Sequence, residues 1–479
     1  MKPSTAPLGN SEINFNRVWD VLIVGGGNAA LCAAMTASES GASVLVLECA
    51  PKHFRGGNSR HTRNLRYAHE KANDYLTGPY REDEFFNDLI QVTEGKTDEE
   101  LARLTIQQSN DIGRWMVQHG CKFQPSMRGT LHLDRTNAFF LGGGKALMNA
   151  YYARAEKMGV NISYESEAYD LDIEDGKFLA ARVRSPHSDL QIEAKAVVIA
   201  AGGFEANIEW LKQYWGEAAN NFIVRGCPYD KGKMLRVLLD KGAETVGTAN
   251  QCHALAIDAR APKFDGGIVT RLDCVPFGIV VNKFAKRFYD EGENFWPKRY
   301  AIWGRLVAKQ EDQIAYSIID SKSIDLFMPS VFPPIEADSI HELAGKLNLD
   351  PAMLEKTVSD FNASIRTGSF DPWELDDCKT IDLDPPKTHW ARPIDKAPFY
   401  GYPLRPGITF TYLGVRVNST SRIIMQNGNP AANMFAAGEI MSGNILGKGY
   451  LGGFGMTIGT VFGRIAGKEA ADHALKCDS

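Results

Sequence analysis

The sequence predicts an α/β protein built on a Rossmann-like dinucleotide-binding unit, and three observations near its start carry that expectation. A short apolar run at residues 21–24 ends in Gly25-Gly26-Gly27. An Ala-rich, helix-forming segment follows, and a second apolar run at residues 44–47 closes on Glu48. Each part has a task in holding a dinucleotide. Gly25 permits the tight turn out of the strand, Gly27 lets the backbone approach a pyrophosphate, and Ala30 keeps the helix close to the sheet. The helix N-terminus offers unpaired N–H groups and a partial positive charge to the phosphates. Glu48 stands 23 positions after Gly25, where a ribose hydroxyl pair needs an acceptor.

Bulk properties fit an enzyme of two domains, one of them interrupted by the other, because 479 residues exceed one ordinary core. A net charge of −5 leaves no basic footprint for nucleic acid. The eight cysteines are scattered without a C-x-x-C pair, which argues against an iron–sulfur cluster, a structural zinc or a disulfide framework, and no metal site is expected. Residues 1–17 form a polar tail without the apolar core of a signal peptide. No apolar run approaches the roughly 20 residues needed to span a bilayer. These features predict a cytoplasmic protein.

Beyond the first unit, residues 55–64 (R-G-G-N-S-R-H-T-R-N) form a polar glycine loop. Residues 80–120 place Phe85, Phe86, Leu89, Ile90, Leu101, Leu104 and Ile106 at helical spacings. Gly142-Gly143-Gly144-Lys145 opens a helix over residues 146–158, either as a plain turn and helix start or as a ligand contact. Strand-like runs follow at residues 161–164, 178–183 and 196–201, the last entering Gly202-Gly203-Phe204. From about residue 256 to 398 the chain carries more Pro, Trp and charge, and the last 80 residues return to glycine-rich strand and turn patterning before a final helix. The expected organisation is a tail (1–17), a dinucleotide-binding domain in two pieces (18–255 and 398–479) and an inserted α+β capping domain for substrate (256–397).

The series G-G-G-N-A-A, G-G-N-S at 56–59, V-V-I-A-A-G-G-F-E-A-N at 197–207, K-R-F at 286–288, A-A-G-E at 436–439 and L-G-G at 451–453 resembles the succinate dehydrogenase/fumarate reductase flavoprotein superfamily. Within it, F-R-G-G-N-S-R-H-T-R-N-L-R, R-F-Y-D-E-G-E-N-F-W-P-K-R-Y and N-I-L-G-K-G-Y-L-G-G-F-G are most similar to FAD-dependent tricarballylate dehydrogenases. The resemblance runs in order along nearly the whole chain. It implies a Rossmann-like FAD-binding domain in two sequence pieces around a cap, with small carboxylates or ketosteroids bound under the flavin ring. FAD contacts are implied at Gly25, Gly27, Asn28, Ala29 and Ala30 for the pyrophosphate and at Glu48 for the ribose. Gly57, Asn58 and Ser59 would flank the flavin, Ala168 would approach the adenine, and Gly202 and Glu439 would return near the ribityl chain. Where membrane-bound relatives tether the flavin through a histidine, this chain has Asn58, so noncovalent FAD is expected. His61 is either a flavin or substrate neighbour or an ordinary loop histidine.

The implied chemistry needs one C–H facing flavin N5, a base at the neighbouring C–H, and clamps on the carboxylates. The chain departs here from fumarate reductases of this superfamily. Thr409-Phe410-Thr411 replaces their H-H-T, Tyr450 replaces the arginine before L-G-G, and their proton-donating arginine falls at Phe295, with Arg299 one helical turn on. These departures weaken fumarate as substrate. Arg299 is expected as base or carboxylate clamp, Tyr450 as proton-transfer or orienting group, and His253, Lys448 and Arg405 as carboxylate contacts, with Thr409 and Thr411 in the substrate site. Arg271, Asp273 and Arg305 are alternates for a proton path.

The resulting expectation is oxidation of tricarballylate to cis-aconitate. A fumarate reductase-like or 3-ketosteroid dehydrogenase-like flavoenzyme is the alternative, and a non-catalytic flavin electron carrier a remote one. The chain shows no haem-attachment or cluster motif. A separate electron-acceptor protein is therefore expected, by resemblance a membrane-bound iron–sulfur protein that would bring the chain to the periphery of the inner membrane.

Overall fold

The computed structural model describes residues 13–126, 133–186, 188–293 and 300–476. Arg299, Phe295 and Cys477 lie outside the described residues, as do residues 1–12 of the expected tail.

A mainly parallel sheet organises the half of the molecule that contains the first glycine turn. Strand β1 (Trp19–Val24) is its centre, flanked by β2 (Val44–Leu47) on one side and the strand Asp189–Ile199 on the other, with Val24 in register with both Leu47 and Ile199. The strand Asn161–Ser163 extends the sheet beyond β2, and Pro430–Ala436 pairs in parallel with Asp189–Ile199. Residues 21–24 and 44–47 are all enclosed, because helices cover the sheet and leave no polar face for these strands to alternate toward. Two further strands, Glu167–Glu174 and Lys177–Arg184, form an antiparallel flap on Asp189–Ile199. Only the second of these was expected; the charge of Asp170, Asp172 and Glu174 hides the first.

Helix α1 (Asn28–Glu39) packs against the last helix, Phe454–Lys476. The contact is close because Gly463 and Gly467 face α1. A Cβ at Gly463 would stand 2.5 Å from the Ala29 carbonyl oxygen, and one at Gly467 would stand 2.2 Å from that of Ala33. The helical stretch expected at 80–120 is three helices, Glu82–Thr93, Glu99–Ser109 and Ile112–Gln118. The glycine run at 142–144 opens the helix Gly143–Lys157.

A second sheet has the order Cys252–Asp258, Phe399–Thr411, Ala315–Asp320, Ile279–Asn282, antiparallel throughout, with Ile223–Val224 added in parallel to its long central strand. Helices Ile340–Lys346 and Pro351–Ser364 close a separate apolar cluster on Ile279, Ile318 and Phe399. This sheet draws on residues on both sides of the boundaries expected at 255/256 and 397/398. Among the described residues no helix is long and apolar enough to cross a membrane, and no cluster of His, Cys, Asp and Glu is arranged to hold a metal ion.

Candidate active site

The carboxyl ends of β1, β2 and Asp189–Ile199 open onto a long cleft of about 1300 Å³, open solvent included. Its lining draws on Glu48 and Ala168, on the glycine turn after β1, and on His253 and Tyr450, a spread that suits an elongated dinucleotide with a substrate beside it. Gly25, with φ at +115°, turns the chain out of β1 under the Ala200 carbonyl, and a Cβ there would stand 2.2 Å from that oxygen. The first turn of α1 then presents its backbone to the cleft. Ser59 Oγ accepts the Asn28 N–H at 3.0 Å, which ties the second glycine loop to the helix start. Asn28 itself reaches back to the last helix, donating to the Met456 carbonyl and Thr460 Oγ1.

At the far end Glu48 is enclosed. Its carboxylate accepts the Ala50 and Gly56 N–H groups at 2.9 and 3.1 Å and lies 3.2 Å from the Tyr152 hydroxyl. Burial raises its pKa, and those backbone donors oppose the rise. Gly26, which the motif leaves free, is constrained here: a Cβ would stand 2.2 Å from Glu48 Oε2 and 2.3 Å from the Tyr152 hydroxyl. Gly25, Gly27, Asn28, Ala29, Glu48, Gly57, Asn58, Ser59, Ala168, Gly202 and Glu439 all line the cleft. Ala30 does not; it is enclosed and keeps α1 packed, which is the role its size suggested.

The middle of the cleft is walled by acids. Asp230 and Glu439 line it, and the enclosed Glu205 stands behind Asn58, whose Nδ2 donates to Glu205 Oε1. Burial raises all three pKa values, Glu439 to about 7. Glu439 Oε1 accepts the Thr411 N–H at 2.7 Å and the Thr411 hydroxyl at 3.0 Å, so Thr411 supports the cofactor wall and does not line the cleft.

Beyond these acids the cleft turns basic and aromatic. His253 and Tyr450 stack face to face, their rings 3.7 Å apart and 4° from parallel. The register of Cys252–Asp258 on Phe399–Thr411 shifts between His253, paired with Phe410, and Ala254, and His253 lines the cleft at this irregularity. Burial, Arg225 and Arg271 drive the His253 pKa well below its ordinary value, so the ring is neutral, and its Nε2 is buried without a partner. Burial raises the Tyr450 pKa, so the phenol keeps its proton; its oxygen accepts the Gly455 N–H at 3.2 Å. Arg225 enters the cleft directly after the two-residue strand Ile223–Val224. Its Nε donates to Thr409 Oγ1 at 3.1 Å and its Nη1 to the His61 carbonyl at 3.1 Å. Behind it, Arg271 lies over the Tyr300 ring at 3.8 Å and pairs with Asp273, which is also 3.7 Å from Arg63. Two nitrogens of Arg63, Nε and Nη2, are buried without partners.

Two expected carboxylate contacts lie elsewhere. Lys448 pairs with Glu94, because Tyr412 donating to the Gly449 carbonyl and Gly447 donating to the Lys96 carbonyl turn the loop and leave Lys448 outside. Arg405 donates to the backbone carbonyls of Asp312 and Gln313 and does not line the cleft. Arg305 donates to Gln251 and does not line the cleft. His61 lies 2.9 Å from Asp265, and burial with Arg225 and Arg60 lowers its pKa to about 3. Sequence reasoning missed Arg225, Arg63, Glu205 and Asp230. The signal for Arg225 was a cation directly after the apolar residues 222–224 and before Gly226. Glu205 follows the glycine pair at 202–203.

The model of the family described as FAD binding domain matches residues 20–455 of this chain. A probable fumarate reductase of Shewanella frigidimarina is 27% identical over 95% of this chain and 75% of that protein. The NADH:acrylate oxidoreductase of Vibrio harveyi is 26% identical over 95% of this chain, which spans 50% of that protein. Among solved structures, the open conformation of a flavocytochrome c3 fumarate reductase matches with a TM-score of 0.74 and 24% identity, covering 96% of this chain and 79% of that one. A 3-ketosteroid-Δ4-(5α)-dehydrogenase from Rhodococcus jostii matches with a TM-score of 0.72 and 20% identity, covering 96% and 98%.

Proposed function

The chain belongs to the FAD binding domain family and is an FAD-dependent oxidoreductase, and from that premise we propose that it desaturates a small polycarboxylate, tricarballylate to cis-aconitate. The observation that carries this reading is an excess of buried positive charge beside the cleft. Arg63, Arg225 and Arg271 cluster there; Asp273 serves Arg63 and Arg271, and among the described residues no carboxylate lies within ion-pair distance of Arg225. A buried charge left unpaired costs several kcal/mol. A substrate with two or three carboxylates supplies the missing countercharge, and the planar guanidinium suits it.

Bound FAD supplies the two-electron acceptor for the C–H that faces it. The residues of this chain do the rest. Arg225, held by Thr409 and the His61 carbonyl, clamps one carboxylate at the inner end of the cleft. His253 is uncharged before substrate arrives, and in the tautomer with its proton on Nδ1 the unpartnered Nε2 is the available acceptor for a proton. The negative charge of a polycarboxylate offsets Arg225 and Arg271 and so raises the basicity of His253 when substrate is bound. Tyr450 keeps its proton and orients, by stacking on the imidazole and by its hydroxyl. Arg299 keeps its proposed place as base or second clamp. Residues 256–397 are proposed as the cap that excludes water, and a separate protein, a membrane-bound iron–sulfur protein in this reading, as the acceptor of electrons.

The test is anaerobic mixing of the holoprotein with tricarballylate, followed at the flavin absorbance near 450 nm, a property the cofactor brings. Bleaching with formation of cis-aconitate is expected. If tricarballylate leaves the flavin oxidised and fumarate instead reoxidises the reduced protein, the reaction runs as in the relative named a fumarate reductase and the substrate proposal fails.

A further inference from the structure

We propose that Glu205 and Glu439 share one proton beside the cofactor cleft, and that Glu205 is the positioning residue holding Glu439 against the cofactor. Glu439 lines the cleft; Glu205 is wholly enclosed behind it. The two carboxyl groups are within hydrogen-bonding reach of each other. Two carboxylates at that separation repel, and one proton between them turns the repulsion into a hydrogen bond.

The surroundings fix which oxygens are left for that proton. Asn58 Oδ1 accepts the Cys227 N–H at 2.8 Å, which sets the amide so that Nδ2 faces Glu205 Oε1 and the Thr409 carbonyl. Glu205 Oε2 is thereby left buried with no other partner. On the other side Thr411 donates twice to Glu439 Oε1, and the Phe204 N–H donates to the Thr411 hydroxyl at 3.3 Å, which aims that hydroxyl's own proton at Glu439. Both carboxyl groups already hold fixed donors on one oxygen. What remains between them is one acceptor too many, and a single proton resolves it.

The other titratable groups around the pair are acids or neutral. Asp230 faces both glutamates, with Glu48 and Cys227 beyond it, and Tyr412 and Tyr450 lie on the Glu439 side. No cation appears among the groups that shift either glutamate. Burial and Glu439 raise Glu205 well above the usual carboxylate range, and burial pushes Glu439 up to about 7. The sign follows: FAD covering the cleft favours the form that carries the shared proton, so affinity is full at low pH and falls as pH rises through the pair's titration.

The experiment is FAD release on dilution of the holoprotein between pH 6 and 9, for the native chain and for Glu205→Gln, whose amide donates to Glu439 without a titrating proton. The native chain is expected to lose affinity by up to about tenfold per pH unit between the pair's titration in the flavin-free and in the flavin-bound protein, the slope of one linked proton. Glu205→Gln is expected to hold FAD as tightly as the native chain at pH 6 and to show no such slope. A native profile without slope overturns the proposal, as does a slope that survives in Glu205→Gln. A second measurement needs no FAD release: the infrared band of a protonated carboxylic acid, present in the native holoprotein at pH 7. Absence of any such band overturns the shared proton even if the variant fails to fold.

Discussion

At the scale of single residues, the site is decided by how space and charge are shared. Gly26 is the clearest case. Its backbone lies beside Glu48 and Tyr152 with no room for a methyl group, so Gly26→Ala must push the carboxylate out of its place at the end of the cleft. The expected outcome is loss of FAD from a protein that still folds, read from the flavin absorbance after gel filtration. Arg225 is the test of the buried cation. Arg225→Met should leave FAD bound and raise KM for a polycarboxylate by roughly 10–150-fold, the weight of a charge-assisted hydrogen bond of about 1.5–3 kcal/mol. His253→Asn removes the proton acceptor while keeping a polar side chain. It should slow flavin bleaching by roughly 10²–10⁴-fold, the usual contribution of a positioned base, without shifting FAD affinity. The cofactor residues were legible from the motif because a dinucleotide is held by backbone and small side chains whose spacing is fixed by one turn. The substrate residues were not. Arg225 reaches the cleft from a two-residue strand, and Lys448, equally charged and closer in sequence to Tyr450, is turned out where the Tyr412 hydroxyl and the Lys96 carbonyl hold the backbone of its loop. No local pattern separates those two cations.

At the scale of elements, helix pairing matters as much as sheet order. The last helix approaches α1 so closely that Gly467 touches the Ala33 backbone. Gly467→Leu forces the helices apart, and overpacking of this kind costs typically about 1–3 kcal/mol. The expected reading is a lower urea midpoint with an unchanged slope, with weaker FAD binding, because α1 carries the N-terminus that faces the cleft. β1, α1, β2 and the final helix were legible in the sequence, since enclosed strands and glycine turns leave strong local marks. The strand Glu167–Glu174 was hidden because half of it is acidic, and the long strand Phe399–Thr411 because Pro403, Pro406, Gly401 and Gly407 mask a β pattern that only its neighbours complete.

At the scale of the whole molecule, the cleft is a meeting place of distant segments. Residues drawn from the segments 24–29, 47–62, 166–168, 200–202, 225–234, 409–410 and 437–459, together with His253, line it. A ligand gripping all of them stabilises the folded state by mass action. FAD at 100 times its Kd should add about 2.7 kcal/mol, seen as a rise in Tm on titrating FAD into flavin-depleted protein. No rise would mean that the cleft does not close on the cofactor as its lining suggests. The two-sheet arrangement was only partly legible. A change of composition marked the middle of the chain, but which strands cross between the halves is a matter of long-range pairing.

The neighbour relation between α1 and the helix at 454–476 also sets an order of events during synthesis. When the ribosome has delivered residues 19–200, four parallel strands and the first glycine turn are in place. The fifth parallel strand at 430–436, the Glu439 wall and the helix that seals α1 are still more than two hundred residues away. The dinucleotide motif, first to emerge, is therefore the last part of the fold to be completed, and a nascent chain stalled before residue 430 should carry no flavin.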